Sequence, residues 1–149
     1  MSLNNLVKSG QIKPHKTSPA EIKKLLATAE SNLMDARVDT IADTTRFDVA
    51  YKAIMQSALI ALMASGYRPS THAPGHHQTL IASLRLTMAV SQQDWLVLDA
   101  LRKKRNIIDY EGELIDSASL NMCVARAEAL VQSTRQWLEA RYAHLIRTP

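Results

Sequence analysis

The stretch from Asp43 or Thr44 to Gly66 constrains the fold most, because apolar side chains cover nearly the whole surface of the helix that it predicts. Gly66 is a natural end for that helix, since glycine readily adopts the left-handed conformation that closes a helix C-terminus. A helix that is apolar on most sides belongs at the centre of a bundle or in a subunit interface. Its apolar positions at helical spacing are Phe47, Tyr51, Ile54, Met55, Ala58, Leu59, Leu62 and Met63.

Capping residues and apolar periodicity predict the other helices. The run Ser18-Pro19-Ala20-Glu21 combines a capping serine, a first-turn proline and a capping-box glutamate, and predicts a helix from there to about Arg37. Further helices are predicted over 76–90 and 92–108, and a long last helix with near-heptad apolar spacing opens at Ser117 or Ser119. Residues 67–75 are predicted to form a loop, and no segment alternates as a strand does. The sequence therefore predicts an all-α, up-and-down bundle of about five helices.

Length and composition favour one helical domain in a reducing compartment. The 149 residues can bury a core of their own, with residues 1–17 as an N-terminal extension and 18–149 as the single bundle domain. Hydrophobic content is 46%, yet there are only four glycines and one phenylalanine, which favours helices over sheets. A single cysteine excludes an intramolecular disulfide. The first residues lack a signal-peptide core and no apolar run approaches the length of a membrane span, so we expect a cytoplasmic protein with no membrane partner.

A charged residue interrupts the apolar stripe of the helix predicted over 92–108. Leu98, Leu101, Arg105 and Ile108 fall on one face, so Arg105 points toward the core or toward a neighbouring subunit. A guanidinium keeps its charge there and needs a carboxylate, carbonyls or a phosphate beside it. Asp109, one turn later, is the nearest carboxylate. Two interpretations stay open: a structural ion pair between Arg105 and Asp109, or an arginine that holds a phosphate.

The same helix carries the basic cluster, which we define as Arg102, Lys103, Lys104 and Arg105. A basic run is usually a solvated face, but with a net charge of +4 it is also compatible with nucleic-acid binding. The adjacent His76 and His77 begin the helix after the loop. Their side chains point about 100° apart and no other Cys or His stands at ligand spacing, so the sequence predicts no metal site. No phosphate-binding loop is present, and no cofactor is expected.

Three segments together resemble the HEPN superfamily of small prokaryotic all-α proteins. They are RFDVAYKAIMQSALIALMASGYRP, PGHH and LRKKRNIIDYEG, and the resemblance extends over nearly the whole chain. It implies a bundle of four to five helices that forms a homodimer. Many members are metal-independent endoribonucleases, often toxins encoded beside a small nucleotidyltransferase antitoxin.

The catalytic pattern of that family is an arginine, a polar residue and, several residues later, a histidine, all presented by both subunits into one cleft. Arg105 and Asn106 match the first two positions, whereas Asp109 and Tyr110 stand where the histidine is expected. The main hypothesis is therefore a HEPN-like dimer with a degraded nuclease motif that binds nucleic acid, RNA rather than DNA, or a nucleotide-bearing partner.

Two alternatives stay open beside this hypothesis. One is a metal-independent endoribonuclease toxin, for which the candidate catalytic residues are Arg105, Asn106, His76 and His77. The other is a protein that acts only through interaction with a nucleotidyltransferase-type antitoxin, with Arg105 and Asp109 as a purely structural pair.

Overall fold

The computed structural model describes residues 1–71 and 75–147, and these are mostly helical, as the sequence predicts. They form six α-helices, two short strands and a final 3-10 turn at Ala143–Leu145. The elements in chain order are α1 (Leu3–Lys8), β1 (Ile12–Pro14), α2 (Pro19–Ala36), α3 (Asp43–Ala64), β2 (Tyr67–Pro69), α4 (His76–Thr87), α5 (Gln92–Glu111) and α6 (Ser117–Arg141).

Helix α3 lies at the centre of the bundle, which confirms the prediction from its apolar surface. It packs against α2, α4 and α6, and α5 joins the bundle mainly through α4. Alanines such as Ala50, Ala53 and Ala58 are fully buried along α3, and their small side chains allow neighbouring helices to approach closely. The aromatic residues Phe47 and Tyr51 fill the first half of the helix and are each 1% exposed.

The apolar character of α3 also corrects the expectation that no segment approaches the length of a membrane span. By length and composition this helix could cross a membrane, with a mean hydropathy of 1.3 over an 18-residue window. Within the bundle, however, 67% of that window is buried. The core helix of a soluble protein passes the same test, so this feature is weak evidence for a membrane.

Local capping explains where α2 and α5 begin and where α5 ends. The side chain of Ser18 accepts a 3.2 Å hydrogen bond from the amide of Glu21, which confirms the predicted start of α2. Ser91 caps α5 in the same way. Helix α4 ends at Thr87, three residues before the predicted end, and α5 continues to Glu111, where Gly112 with φ of 68° closes it.

The start of the chain, predicted as an N-terminal extension, contributes a short helix and a strand that contact the bundle. Strand β1 pairs antiparallel with β2, with Ile12 opposite Pro69. Leu6 and Ile12 are 4% and 2% exposed and belong to the main core, so residues 1–17 are packed into the bundle. The sequence predicted neither strand, because three residues are too few to show alternation and β2 lies in the segment predicted as a loop. Residues 72–74 of that loop lie outside the described part of the chain.

Candidate functional site

The buried side chain of Tyr51 contacts both the histidine pair that begins α4 and the basic cluster on α5. Tyr51 on α3 is 1% exposed, and the Cζ atom of Arg105 on α5 lies 5.0 Å from the centre of its ring, within cation–π distance. The hydroxyl of Tyr51 lies 3.5 Å from Nδ1 of His77, in the first turn of α4. Together with two neighbouring carboxylates, these residues form the Tyr51 cluster: Asp48, Tyr51, His77, Arg105 and Asp109.

Arg105 is held at ion-pair distance by two carboxylates. Its Nε atom lies 3.7 Å from Oδ2 of Asp109, at the spacing predicted from the sequence, and 3.8 Å from Oδ1 of Asp48 on α3. Both distances are too long for hydrogen bonds, and the buried Nε has no hydrogen-bond partner among residues 1–71 and 75–147. The Arg105 side chain is 25% exposed, so it lies at the edge of the core and not within it.

The rest of the apolar stripe on α5 faces the core as predicted. Leu98, Leu101 and Ile108 are 4%, 5% and 7% exposed. On the other side of Arg105, Asn106 is exposed and Tyr110 is 88% exposed. Neither side chain is buried with Tyr51, so of the two residues that match the HEPN pattern only Arg105 belongs to the cluster, together with Asp109, which stands near the position of the missing histidine.

His77 is half-buried and its environment favours the neutral ring. Burial has the largest effect in lowering its pKa below the ordinary value, and electrostatic interactions with His76, Arg105 and Arg102 lower it further. The ring of His76 lies 4.6 Å from that of His77, nearly perpendicular to it, and His76 itself is exposed. Over the described ranges no group of three His, Cys, Asp or Glu residues is arranged to hold a metal ion.

Tyr51 remains a phenol in the physiological pH range. Burial raises its pKa to about 12, and the nearby charges of Arg105 and Arg102 only partly oppose that effect. Its hydroxyl is therefore a hydrogen-bond donor. The cluster thus combines a guanidinium and a neutral imidazole, which are suited to binding the oxygens of a phosphate, with a buried hydroxyl that contacts the imidazole.

The other members of the basic cluster are paired with carboxylates. Nε of Arg102 donates a 2.8 Å hydrogen bond to Asp99, and Lys103 lies 3.5 Å from the same carboxylate. Lys104 lies 3.2 Å from Asp116, which also caps α6 through the amide of Ser119. These hydrogen bonds from Ser119 and Lys104 lower the pKa of Asp116 to about 2. The surface therefore carries less unpaired positive charge than its sequence indicates.

The sequence did not identify Tyr51 and Asp48 as members of the site. Both are separated from Arg105 by more than fifty positions along the chain, and helical periodicity assigns Tyr51 only to the core. The spacing of Asp48 and Tyr51 could have identified them as candidates for the site. They stand three residues apart on a mostly apolar helix, where a carboxylate and a phenol on adjacent turns share a face.

Comparisons with protein-family models, with curated proteins and with solved structures found no similar protein for this chain. The resemblance to the HEPN superfamily therefore depends on the residues of the chain and on no relative.

Proposed function

We propose that this protein binds RNA through the Tyr51 cluster, with Arg105 contacting a backbone phosphate. The observation that supports this function is the position of Arg105, whose guanidinium packs on the Tyr51 ring while its buried Nε lacks a hydrogen-bond acceptor among the described residues. Arginine is suited to this role because its planar fork of donors matches the oxygens of a phosphate.

The carboxylates beside Arg105 are compatible with phosphate binding. Asp48 and Asp109 are 45% and 43% exposed and lie at 3.7 to 3.8 Å, so their ion pairs with Arg105 are loose. Exposed ion pairs contribute little free energy and are readily replaced. A phosphate that approaches the guanidinium can therefore displace them at small cost.

The resemblance to HEPN proteins supports RNA as the ligand, in the cytoplasm, and a homodimer as the binding form. In a dimer two copies of the cluster contribute to one cleft, which doubles the number of guanidinium groups that face the ligand. A nucleotidyltransferase-type antitoxin as partner depends on the same resemblance. Light scattering at micromolar concentration tests the dimer, and a monomeric mass contradicts it.

Binding is tested by fluorescence anisotropy with a labelled single-stranded RNA oligonucleotide. We expect Arg105→Ala to weaken binding at least tenfold, because a charge-assisted hydrogen bond contributes about 1.5–3 kcal/mol. Arg135→Ala is the matched control: Arg135 pairs with Glu30 between α6 and α2, and the replacement removes the same charge. Wild-type affinity should fall steeply with salt as counterions are released. A flat salt response, or equal losses in both variants, contradicts the proposal.

One observation favours metal-independent endoribonuclease activity as a second candidate function. His77 and Arg105 both contact Tyr51, so an imidazole and a guanidinium share one tyrosine although the motif on α5 has no histidine. In that reaction the ribose 2′-hydroxyl gives up its proton as its oxygen attacks the adjacent phosphorus, and the bond to the 5′-oxygen breaks as that oxygen takes up a proton. The products are a 2′,3′-cyclic phosphate and a 5′-hydroxyl. Arg105 would stabilise the pentavalent phosphate, and His77 would act as acid or base.

A cleavage assay in EDTA separates the two candidates. If the second function is correct, wild-type protein releases 2′,3′-cyclic phosphate ends, and His77→Ala reduces the rate by about 10²-fold or more, as loss of an acid–base group does. His76→Ala is the matched control, because it removes the exposed neighbouring histidine. No cleavage by the wild type rejects the nuclease and leaves RNA binding as the function.

A further inference from the structure

We propose that Tyr51 is the positioning residue of this site: its ring holds the guanidinium of Arg105, and its hydroxyl keeps His77 in the tautomer that carries its proton on Nε2. In the proposed function this tautomer makes His77 a hydrogen-bond donor to a phosphate oxygen. The ligand assignment rests on the proposed RNA binding, whereas the arrangement of the three side chains is a property of the free protein.

The ring of Tyr51 is a fixed surface for Arg105. Tyr51 is 1% exposed on the central helix, among fully buried neighbours such as Ala50 and Ile54, and it cannot change rotamer without disrupting the core. The guanidinium carbon lies 5.0 Å from the ring centre. The ring therefore fixes where Arg105 lies before a ligand arrives.

The hydroxyl of Tyr51 determines which nitrogen of His77 carries the proton. A buried O–H group needs an acceptor, and within the part of the chain that the structure describes its only hydrogen-bond partner is Nδ1 of His77, at 3.5 Å. If Nδ1 carried the proton, it would donate to the phenol oxygen and leave the Tyr51 proton without an acceptor. With the proton on Nε2, Nδ1 accepts from the hydroxyl and the buried donor is satisfied.

The charge states of both groups agree with this arrangement. Burial keeps Tyr51 protonated by raising its pKa to about 12, and burial with nearby positive charges lowers the pKa of His77. The groups around His77 are His76 on its own helix, Tyr51 on α3, and Arg102 and Arg105 on α5. Near neutral pH a phenol thus faces a neutral imidazole.

This tautomer favours binding over cleavage. A nitrogen that already carries a proton has no lone pair with which to take one from a ribose hydroxyl, so Nε2 cannot act as a general base. It can donate to a phosphate oxygen beside the guanidinium. The arrangement of Tyr51 and His77 therefore supports RNA binding more than it supports the endoribonuclease candidate.

Nitrogen-15 NMR of the free protein at pH 7.5 tests the proposal, because two-bond proton–nitrogen correlations distinguish the histidine tautomers. For the wild type we expect His77 with a protonated Nε2 and an unprotonated, hydrogen-bonded Nδ1. Tyr51→Phe retains the ring and removes the hydroxyl. It should shift the Nδ1 resonance of His77 and leave the Nε–H resonance of Arg105 in place, with His76 as the internal comparison.

RNA affinity supplies the second measurement for Tyr51→Phe. We expect affinity to fall about three- to tenfold, less than for Arg105→Ala, because the guanidinium still packs on the aromatic ring. A wild-type His77 protonated on Nδ1, or an Nδ1 resonance that Tyr51→Phe leaves unchanged, overturns the proposal. If the NMR results are as expected and the wild type binds no RNA, the positioning role stands and the proposed function fails.

Discussion

Arg102 donates a 2.8 Å hydrogen bond to Oδ1 of Asp99, one turn earlier on α5, and both side chains are largely buried, at 14% and 11% exposed. Lys103 lies 3.5 Å from the other oxygen of the same carboxylate. One aspartate therefore neutralises part of the charge of two neighbouring cations. Asp99 sets how much positive charge this side of α5 offers to a polyanion.

Replacement of Asp99 by asparagine should increase RNA affinity. We expect Asp99→Asn to raise affinity about three- to tenfold at low salt and to steepen the dependence of log K on log salt by roughly one, because one more phosphate contact releases one more counterion. Asp35→Asn, at an exposed position on α2, is the control with the same change in charge. Anisotropy titrations at several salt concentrations measure both quantities. Equal effects from the two variants would show that Asp99 does not limit binding.

Stability should fall as the pH decreases through the range in which His77 titrates. Its pKa in the folded protein lies below the ordinary value of 6.5. The unfolded chain therefore takes up a proton at higher pH than the folded protein. The contribution of His77 to stability is present above pH 6.5 and is lost as the pH falls through the folded-state pKa.

His77→Gln should remove this component of the pH dependence. Between pH 7.5 and 5.5 the variant is expected to lose less free energy of unfolding than the wild type. Urea denaturation at the two pH values measures the difference, and His144→Gln, at an exposed histidine near the C-terminus, controls for the loss of a histidine. If His77→Gln loses as much free energy of unfolding as the wild type, the surroundings of His77 do not lower its pKa.

The starts of α2 and α5 were predictable because they depend on residues close together in the chain. Ser18 and Ser91 cap α2 and α5 through amides three residues later, so a short window of sequence contains the whole interaction. The central position of α3 was predictable for a related reason. A helix that is apolar on most sides is buried in a bundle or in a subunit interface, whatever the neighbouring helices are.

The Tyr51 cluster could not be predicted in the same way, because its members come from three helices. Periodicity predicts that Tyr51 is buried but not which group its hydroxyl contacts. The spacing of Arg105 and Asp109 predicts their ion pair, since both stand on one helix face. It cannot reveal Asp48 on another helix, because that contact depends on how the helices pack. The sequence offered His76 and His77 as equal candidates. Only the packing of α4 against α3 shows that His77 is the one that contacts Tyr51.

Loss of packing at Ile12 should destabilise the whole domain. This residue is 2% exposed in β1 and belongs to the main core, although it lies in the segment predicted as an extension. We expect Ile12→Ala to reduce the free energy of unfolding by about 2–5 kcal/mol, as other truncations of buried aliphatic side chains do. Lys13→Ala, at the exposed neighbouring position, is the control. A loss below about 1 kcal/mol in urea denaturation would contradict the integration of this segment, since buried aliphatic truncations cost more than that.

Replacement of Ala89 by glycine should stabilise the protein. This exposed alanine follows the end of α4 with φ of 54°, and it lies in the turn where the carbonyl of Leu84 accepts bonds from the amides of Met88 and Val90. A left-handed conformation costs an L-residue about 1–2 kcal/mol, whereas glycine adopts it freely. Part of that gain is offset by the larger entropy of glycine in the unfolded chain. We therefore expect Ala89→Gly to raise the free energy of unfolding by about 0.5–1 kcal/mol.

The matched control variant should change the free energy of unfolding in the opposite direction. Ala82 lies within α4 itself, and Ala82→Gly introduces the same residue where the backbone is right-handed. It should lower the free energy of unfolding by about 0.5–1 kcal/mol or more, because glycine in a helix interior loses entropy without relieving strain. Thermal and urea denaturation of the two variants should therefore diverge from the wild type in opposite directions. If both variants are destabilised alike, the backbone at Ala89 does not have the left-handed conformation.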